Sequence, residues 1–207
     1  MPQEPVADPA PFPNGPIARS GSRVRLREAT LDDAAFLDER DREPARTGEF
    51  NDFGLPPPAP LADQLADGRR LVTPDRGRLL IERLEDGAII GDVSWRPETY
   101  GADERSRAFQ FGVALEPEAR GQGYGTEAQR LLAELLFDLY VLERVEASTD
   151  IENIAEQRSL ERAGFTREGV LRRAQFRAGG HHDLVIYSIV RGDLEITPGP
   201  TAPRGAR

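Results

Sequence analysis

The residues with the clearest chemical signal lie between Val113 and Ala128, where the chain reads VALEPEARGQGYGTEA. An apolar strand ends in a proline turn, Arg120 and three alternating glycines follow, and an amphipathic helix then begins. The first turn of a helix has N–H groups without partners and the positive end of the helix dipole, and glycine lets a ligand approach the backbone closely. This order predicts a binding site for a phosphorylated ligand.

Two common phosphate-binding loops do not match this segment. A P-loop requires Gly-x4-Gly-Lys-Ser/Thr, and a dinucleotide fingerprint requires G-x-G-x-x-G with a later acidic residue. The segment RGQGYG, from Arg120 to Gly125, instead resembles the Arg/Gln-x-x-Gly-x-Gly/Ala signature of the GCN5-related N-acetyltransferase (GNAT) family. The resemblance implies that the loop holds the pyrophosphate of acetyl-coenzyme A (acetyl-CoA). The alternative is a glycine turn that only joins a strand to a helix.

A second pattern begins at Asn153, where the chain reads NIAEQRSLERAGF, with Asp183 and Tyr187 on a later strand. It resembles the RimJ/RimL-like branch of the same family. The resemblance implies that Asn153 binds the pantetheine arm between two splayed strands, since Asn can both donate to and accept from its amides. Asn153 also fits a helix N-cap, with Glu156 three residues later as in a capping box.

The resemblance assigns acetyl-CoA to the strand before the loop, to the loop itself and to Asn153. The residues concerned are Phe111, Val113, Leu115, Arg120, Gly121, Gln122, Gly123, Tyr124, Gly125, Thr126 and Asn153. It also implies that the Val113 amide donates to the oxyanion that forms during acyl transfer. Arg158 and Arg162 fit either a contact with the nucleotide phosphate or a solvated surface.

Acetyl transfer from a thioester to an amine requires a neutral amine held in line, an oxyanion donor and a route for protons. The candidate catalytic residues are Asp92, Glu156 and Tyr187. Asp92 is a candidate base and Tyr187 a candidate acid for the leaving thiolate, although both also fit structural roles. Gln110 stands where the branch often has Glu, and Glu156 stands where it often has Ser. No metal site is predicted.

The elements that must position these residues follow from hydrophobic periodicity and turn signals. Strands are predicted near 24–28, 79–84, 88–95, 107–115, 144–149, 166–176 and 183–190, and helices at 31–42, 61–66, 126–139 and 154–163. This order indicates a mixed α+β fold. It also matches the family, whose fold is a single central, mostly antiparallel sheet, splayed between strands 4 and 5 and flanked by helices. The domain is predicted to span 21–192, between a proline-rich disordered tail (1–20) and a flexible C-terminal tail (193–207).

Composition narrows the class of protein. The chain has 207 residues, no cysteine and a formal net charge of −9. Disulfides and thiolate metal sites are therefore excluded, and the negative charge argues against a nucleic-acid partner. The sequence shows neither an apolar run of the roughly 20 residues that a membrane helix needs nor a signal-peptide pattern, so cytoplasmic localisation is the default expectation.

The leading hypothesis is an acetyl-CoA-dependent N-acetyltransferase that acts on a primary amine of a small molecule or on a protein N-terminus. The amine attacks the thioester directly in a ternary complex. Two alternatives stay open: a catalytically silent acyl-CoA-binding sensor, and a GNAT-fold acyltransferase that uses another donor such as aminoacyl-tRNA. A homodimer is expected only because the resemblance to the family implies one. The loops around 42–60 and 96–105, which are expected to select the acceptor, contain no motif.

Overall fold

The computed structural model describes residues 13, 15–43, 46, 48–53, 60–66 and 70–194. Within them, one eight-stranded, mostly antiparallel sheet is flanked by helices, which confirms the predicted mixed α+β class. The strands are β1 (Ala18–Ser20), β2 (Val24–Arg27), β3 (Gly77–Arg83), β4 (Ile89–Thr99), β5 (Arg107–Leu115), β6 (Arg144–Asp150), β7 (Thr166–Arg177) and β8 (Gly180–Val190). The helices are α1 (Ala34–Asp41), α2 (Leu61–Ala66), α3 (Tyr124–Leu139) and α4 (Ile154–Arg162).

The strand order is β1-β2-β3-β4-β5-β6-β8-β7, and β5 and β6 form a parallel pair. These two strands are paired only from Phe109–Val145 to Phe111–Ala147, although both continue further. The sheet is therefore splayed at this position. The splay was predicted between strands 4 and 5, and the numbering differs because β1 adds a strand at the beginning.

Strand β1 lies inside the segment predicted as a disordered tail. Ala18, Arg19 and Ser20 pair with β2 in an antiparallel register, so the sheet begins before the predicted domain boundary. The proline-rich pattern ends at about Ile17, which is itself buried in the core. Residues 1–12 and 195–207 of the predicted tails lie outside the described residues.

Helix α3 covers the face of the sheet that matters for the site. Its apolar residues recur every three to four positions, so they form one stripe along the helix. Ala128, Leu131, Leu132 and Leu135 are buried in the same core as Phe109 and Phe111 of β5, and Leu139 packs against it. The predicted buried face of this helix is confirmed, and its packing fixes the start of α3 beside the end of β5.

The other face of the sheet is fastened to α1 by Arg40, which is 1% exposed. Its Nη2 donates to the Ala114 carbonyl at 2.8 Å, its Nε lies 2.7 Å from Glu116 Oε1, and its Nη1 bonds Asp92. Arg78 Nε donates to the second oxygen of Asp92 at 2.8 Å. This ion-pair network holds the C-terminal end of β5, from which the glycine loop continues.

Candidate active site

A cleft of about 670 Å³ opens where β5 and β6 separate. Its walls come from the end of β5, from β6, from the glycine loop with the start of α3, and from α4. The segment Gly48–Asn51 adds a further wall. The cleft brings together most of the residues predicted to bind acetyl-CoA: Phe111, Val113, Leu115, Arg120, Gly121, Gly123, Gly125, Thr126 and Asn153.

The main-chain groups of Val113 face the cleft. Glu116 N–H donates to the Ile90 carbonyl of β4 at 2.9 Å, and the β4–β5 register has no shift between Leu115 and Arg107. Because hydrogen-bonded positions alternate along an antiparallel strand, Ala114 faces β4 as Glu116 does, whereas Val113 faces the opposite side. The paired part of β6 ends before that level. The Val113 amide is thus directed into the space between the separated strands.

The glycine loop presents a row of main-chain N–H groups. Gly121 and Gly123 have φ values of +72° and +86°, which glycine adopts at little cost. The first helical amide with a partner one turn back is Glu127, which donates to the Gly123 carbonyl at 3.2 Å. Among the described residues, the N–H groups from Gly121 to Thr126 take part in none of the turn, loop or cap hydrogen bonds. This arrangement has the donors and the helix-dipole end that an anionic phosphate needs.

The side chains of the loop bond to and pack against neighbouring parts of the chain. Arg120 Nε donates to the Leu115 carbonyl at 2.9 Å and its Nη2 to the Arg46 carbonyl at 2.5 Å. Gln122 Nε2 donates to the Glu118 carbonyl at 2.5 Å. Tyr124 is 5% exposed and lies under the guanidinium of Arg23.

Gln122 and Tyr124, both predicted to bind the cofactor, are therefore not among the residues that line the cleft. Their side chains are engaged elsewhere, that of Gln122 with the Glu118 carbonyl and that of Tyr124 in the core beneath Arg23.

Asn153 combines a helix cap with a position on the cleft wall. Its Oδ1 accepts from the Glu156 N–H at 3.2 Å, and its Nδ2 donates to Thr149 Oγ1 at 3.0 Å. The N-cap alternative is confirmed, but Glu156 does not complete a capping box, because the Asn153 N–H donates to the Asp150 carbonyl at 2.9 Å. An amide oxygen and an NH2 group each have one further hydrogen-bonding position, so the cap leaves capacity for a ligand amide.

Replacement of Asn153 separates these two roles. Asn153→Ala is expected to lower the melting temperature and to weaken CoA binding by about 1–3 kcal/mol, because a ligand amide is left unpaired. Asn153→Ser is the control, since Ser caps helices about as well as Asn but lacks the amide donor. Calorimetric titration with CoA measures the affinity. If Ser restores both stability and affinity, Asn153 acts only as a cap.

Two of the three predicted catalytic residues lie away from the cleft lining. Asp92 is buried between Arg40 and Arg78. Burial by itself raises the pKa of Asp92, but the two guanidinium groups outweigh it and lower the pKa below its usual range. A carboxylate held in this way is a poor proton acceptor, so its surroundings argue against the predicted role as a base.

Tyr187 is fully buried on β8, and its hydroxyl group donates to Glu161 Oε1 at 3.0 Å. Burial and this hydrogen bond raise the pKa of Tyr187. The hydroxyl proton is thus committed to a carboxylate of α4, and this contact argues against the predicted role of Tyr187 as the acid for the leaving thiolate.

The position of Asp92 predicts a structural effect on replacement. Asp92→Asn is expected to destabilise the fold by about 3 kcal/mol, because Arg40 is left as a buried charge with one partner fewer. Thermal or urea unfolding measures this change. Asp86→Asn is the control, because it removes a carboxylate from an exposed ion pair with Arg83 and should change stability much less. Normal stability of Asp92→Asn with lost acetyl transfer would contradict the structural role.

Glu156 is the predicted catalytic residue that does line the cleft. Burial raises the pKa of Glu156 to about 7, against a hydrogen bond from Gln129 Nε2 that lowers it. Near neutral pH both the acid and the carboxylate are therefore populated, which suits a group that accepts and returns a proton.

Sequence reasoning missed two parts of the site. The segment Gly48–Asn51 forms a wall within the loop that was expected to select the acceptor, but no local pattern marks it. Ser159 lines the cleft, and its Oγ donates to Oε1 of the buried Gln129 at 3.1 Å. The sequence offered one signal for this contact, the polar residue Gln129 beside the apolar stripe of α3.

Comparisons with known proteins agree with this geometry. The sequence profile of an acetyltransferase (GNAT) domain matches residues 23–166. The chain is 32% identical over 112 residues to the Bacillus subtilis (strain 168) protein named "Putative ribosomal N-acetyltransferase YdaF". That alignment covers 54% of this chain and 59% of the relative, which is less than two thirds of its length.

Solved structures share the fold. Mycobacterium smegmatis RimJ in complex with CoA-disulfide superposes with a TM-score of 0.65 at 22% identity, over 83% of this chain and 84% of RimJ. Spermidine N-acetyltransferase from Vibrio cholerae in complex with CoA and spermine gives a TM-score of 0.68 at 20% identity, over 84% of this chain and 98% of that protein.

None of the helices in the described part of the chain has the length and apolar character needed to cross a membrane.

Proposed function

The chain belongs to the acetyltransferase (GNAT) family, and from this premise we propose that it transfers an acetyl group from acetyl-CoA to a primary amine. The amine belongs to a small molecule or to a protein N-terminus, and it attacks directly in a ternary complex. The single observation that carries the proposal is the common direction of two sets of main-chain groups. The residues that carry these amides, Gly121, Gly123, Gly125 and Thr126 on the loop and Val113 on β5, all line one cleft.

The residues of the cleft fit acetyl-CoA in both charge and shape. The row of loop amides at the start of α3 suits a pyrophosphate. The gap between β5 and β6 offers the main chain of Val113 and the side chain of Asn153 to the amides of a pantetheine arm. When bound, acetyl-CoA supplies a thioester that is already activated toward attack.

The chain contributes orientation and proton transfer. The Val113 N–H is directed to donate to the acetyl oxygen as negative charge develops on it. Glu156, as a carboxylate, accepts the proton that the attacking nitrogen loses, and as an acid it protonates the sulfur as the carbon–sulfur bond breaks. One proton thus moves from nitrogen to sulfur, and Glu156 ends the cycle in the state in which it began. Gln110, at the position where a Glu is common in related proteins, has no carboxylate for this task.

The acceptor is proposed to be a cationic ammonium group in solution. It releases one proton to solvent to become the neutral amine that attacks, and the second proton is the one that Glu156 carries to sulfur. The net charge of −9 favours the approach of a cation, and the exposed Glu49 lies on the cleft wall. One protein named above is a putative ribosomal N-acetyltransferase and the other a spermidine N-acetyltransferase, and these names support an amine as the acceptor.

Thiol release tests the proposal. The protein is incubated with acetyl-CoA and a panel of amines that contains peptides with free N-termini, polyamines and amino sugars, and free CoA thiol is measured. At least one amine is expected to accelerate thiol release above the rate of hydrolysis, with acetylated product seen by mass spectrometry. Tight CoA binding in calorimetry without thiol release on any amine would favour the silent acyl-CoA sensor instead.

A further inference from the structure

Gln129 of α3 is completely buried. It links the proposed catalytic carboxyl group, that of Glu156 on α4, to Thr126 at the start of α3. Its Nε2 donates to Glu156 Oε1 at 2.7 Å, and its Oε1 accepts from Ser159 Oγ at 3.1 Å. Ser159 Oγ lies 3.0 Å from Thr126 Oγ1. We call these four residues the polar relay. It runs between α3 and α4, and three of its members, Thr126, Glu156 and Ser159, line the cleft.

The chemistry of the four groups gives the relay a direction. A hydroxyl group has one proton, and Ser159 donates its proton to Gln129. Thr126 must therefore donate to Ser159, and Gln129 in turn donates to Glu156. All three hydrogen bonds thus point toward the carboxyl group. The hydroxyl proton of Thr126 is committed to this relay, which leaves its main-chain N–H as the donor available to a phosphate.

The surroundings of Glu156 make the relay its main polar partner. Other charged side chains line the same cleft: Arg158 and Arg162 on α4, Arg120 on the loop and Glu49 on the opposite wall. Burial raises the pKa of Glu156, and the hydrogen bond from Gln129 lowers it. A change at Gln129 therefore acts on Glu156 directly.

We propose that Gln129 is a positioning residue for acetyl transfer: together with Ser159 it fixes the carboxyl group of Glu156 in the cleft and couples it to the phosphate-binding start of α3. This inference rests on the proposed function of Glu156. It also has a consequence for protonation. The donated hydrogen bond favours the carboxylate, so its removal must favour the acid.

A purely structural role for Gln129 predicts something different. A buried amide needs partners, and Glu156 and Ser159 supply them. On that view the loss of the amide would lower stability and move the titration of Glu156, because the hydrogen bond exists in either case, but the rate of acetyl transfer at its pH optimum would stay unchanged. The two roles are thus separated by the rate of acetyl transfer at the pH optimum, whereas the titration tests the contact itself.

The test uses Gln129→Met, which keeps the side-chain length and removes the amide. The titration midpoint of Glu156 is expected to rise by about one pH unit, both in the pH profile of acetyl transfer and in carboxyl ¹³C NMR of Glu-labelled protein. The Glu156 resonance is assigned by its absence in Glu156→Gln. Gln157→Met is the control. Gln157 lies on α4 beside Glu156, but its side chain donates to the Ile151 carbonyl at 2.8 Å and not to Glu156. It should leave the titration unchanged.

The possible outcomes separate the relay from the proposed function. If Glu156→Gln slows acetyl transfer but Gln129→Met leaves either the NMR midpoint or the rate at the pH optimum unchanged, the relay is overturned and the function stands. If Glu156→Gln transfers acetyl groups at the normal rate, the catalytic role of Glu156 fails, whereas the NMR midpoint still reports the contact with Gln129. Ser159→Ala changes a single oxygen atom and is used if Gln129→Met does not fold. It is expected to move the midpoint in the same direction by less.

Discussion

Replacement of Gly123 by glutamate is expected to abolish CoA binding. Gly123 has φ +86°, and its amide belongs to the row that faces the cleft. Any side chain is strained in this left-handed conformation, and a carboxylate would bring negative charge to the place proposed for the pyrophosphate. In calorimetric titration with CoA the variant is expected to give no measurable heat of binding under conditions that saturate the unchanged protein.

The chain offers a matched control for this substitution. Gly87, in the turn between β3 and β4, has φ +75°, is exposed and has no atom within 4 Å of the position that a Cβ would take. Gly87→Glu therefore introduces the same charge and similar backbone strain away from the cleft. It should retain CoA affinity. Equal affinities of the Gly123→Glu protein and the unchanged protein would refute the placement of the phosphates on this loop.

Glu156→Gln is expected to slow acetyl transfer by about 100-fold, the lower end of the usual contribution of general acid–base catalysis. The amide keeps the size of the side chain and its contact with Gln129 but cannot carry a proton between nitrogen and sulfur. The affinity for CoA should change by only a few-fold, because the phosphate-binding amides are untouched. Single-turnover rates with a saturating amine measure the effect. An unchanged rate would remove Glu156 from the mechanism.

The same variant predicts a pH dependence of stability. The pKa of Glu156 is raised above its ordinary value to about 7, so the folded state binds its proton more tightly than the unfolded state. The stability that depends on this proton is present below about pH 4.5 and is lost as the pH rises through 7. Glu156→Gln does not suffer this loss. The free energy of unfolding of Glu156→Gln minus that of the unchanged protein should therefore increase between pH 5 and pH 8, by up to about 3 kcal/mol.

Thermal unfolding of both proteins at several pH values measures this difference. All other titrating groups are shared, so they cancel in the comparison to first order. A difference that stays constant from pH 5 to pH 8 would mean that Glu156 ionises in the folded protein as it does in water.

The glycine loop and its neighbours could be predicted from the sequence because their signals are local. The order of strand, Arg120, alternating glycines and helix is contained within a short stretch, and the structure places Gly121, Gly123 and Gly125 on the cleft. The same holds for the apolar face of α3 and for Asn153 as an N-cap, since a helical period and a capping residue act over one or two turns.

The sequence could not show in this way which of the candidate catalytic residues lie at the cleft. Asp92 reads as an exposed strand carboxylate, but it meets Arg40, which lies 52 positions away. Tyr187 meets Glu161, 26 positions away. The docking of α1 and α4 on the sheet brings these partners together, and no local pattern reports such contacts.

The amino-acid sequence by itself determined the order of the elements, the position of the glycine loop and the set of candidate catalytic residues. Only the tertiary structure decided which of those candidates reaches the cleft and how its proton is held. The reason is that the backbone donors of the loop depend on glycine and helix geometry over a few residues, whereas the protonation of Glu156 depends on burial and on Gln129, which packing alone brings within 2.7 Å.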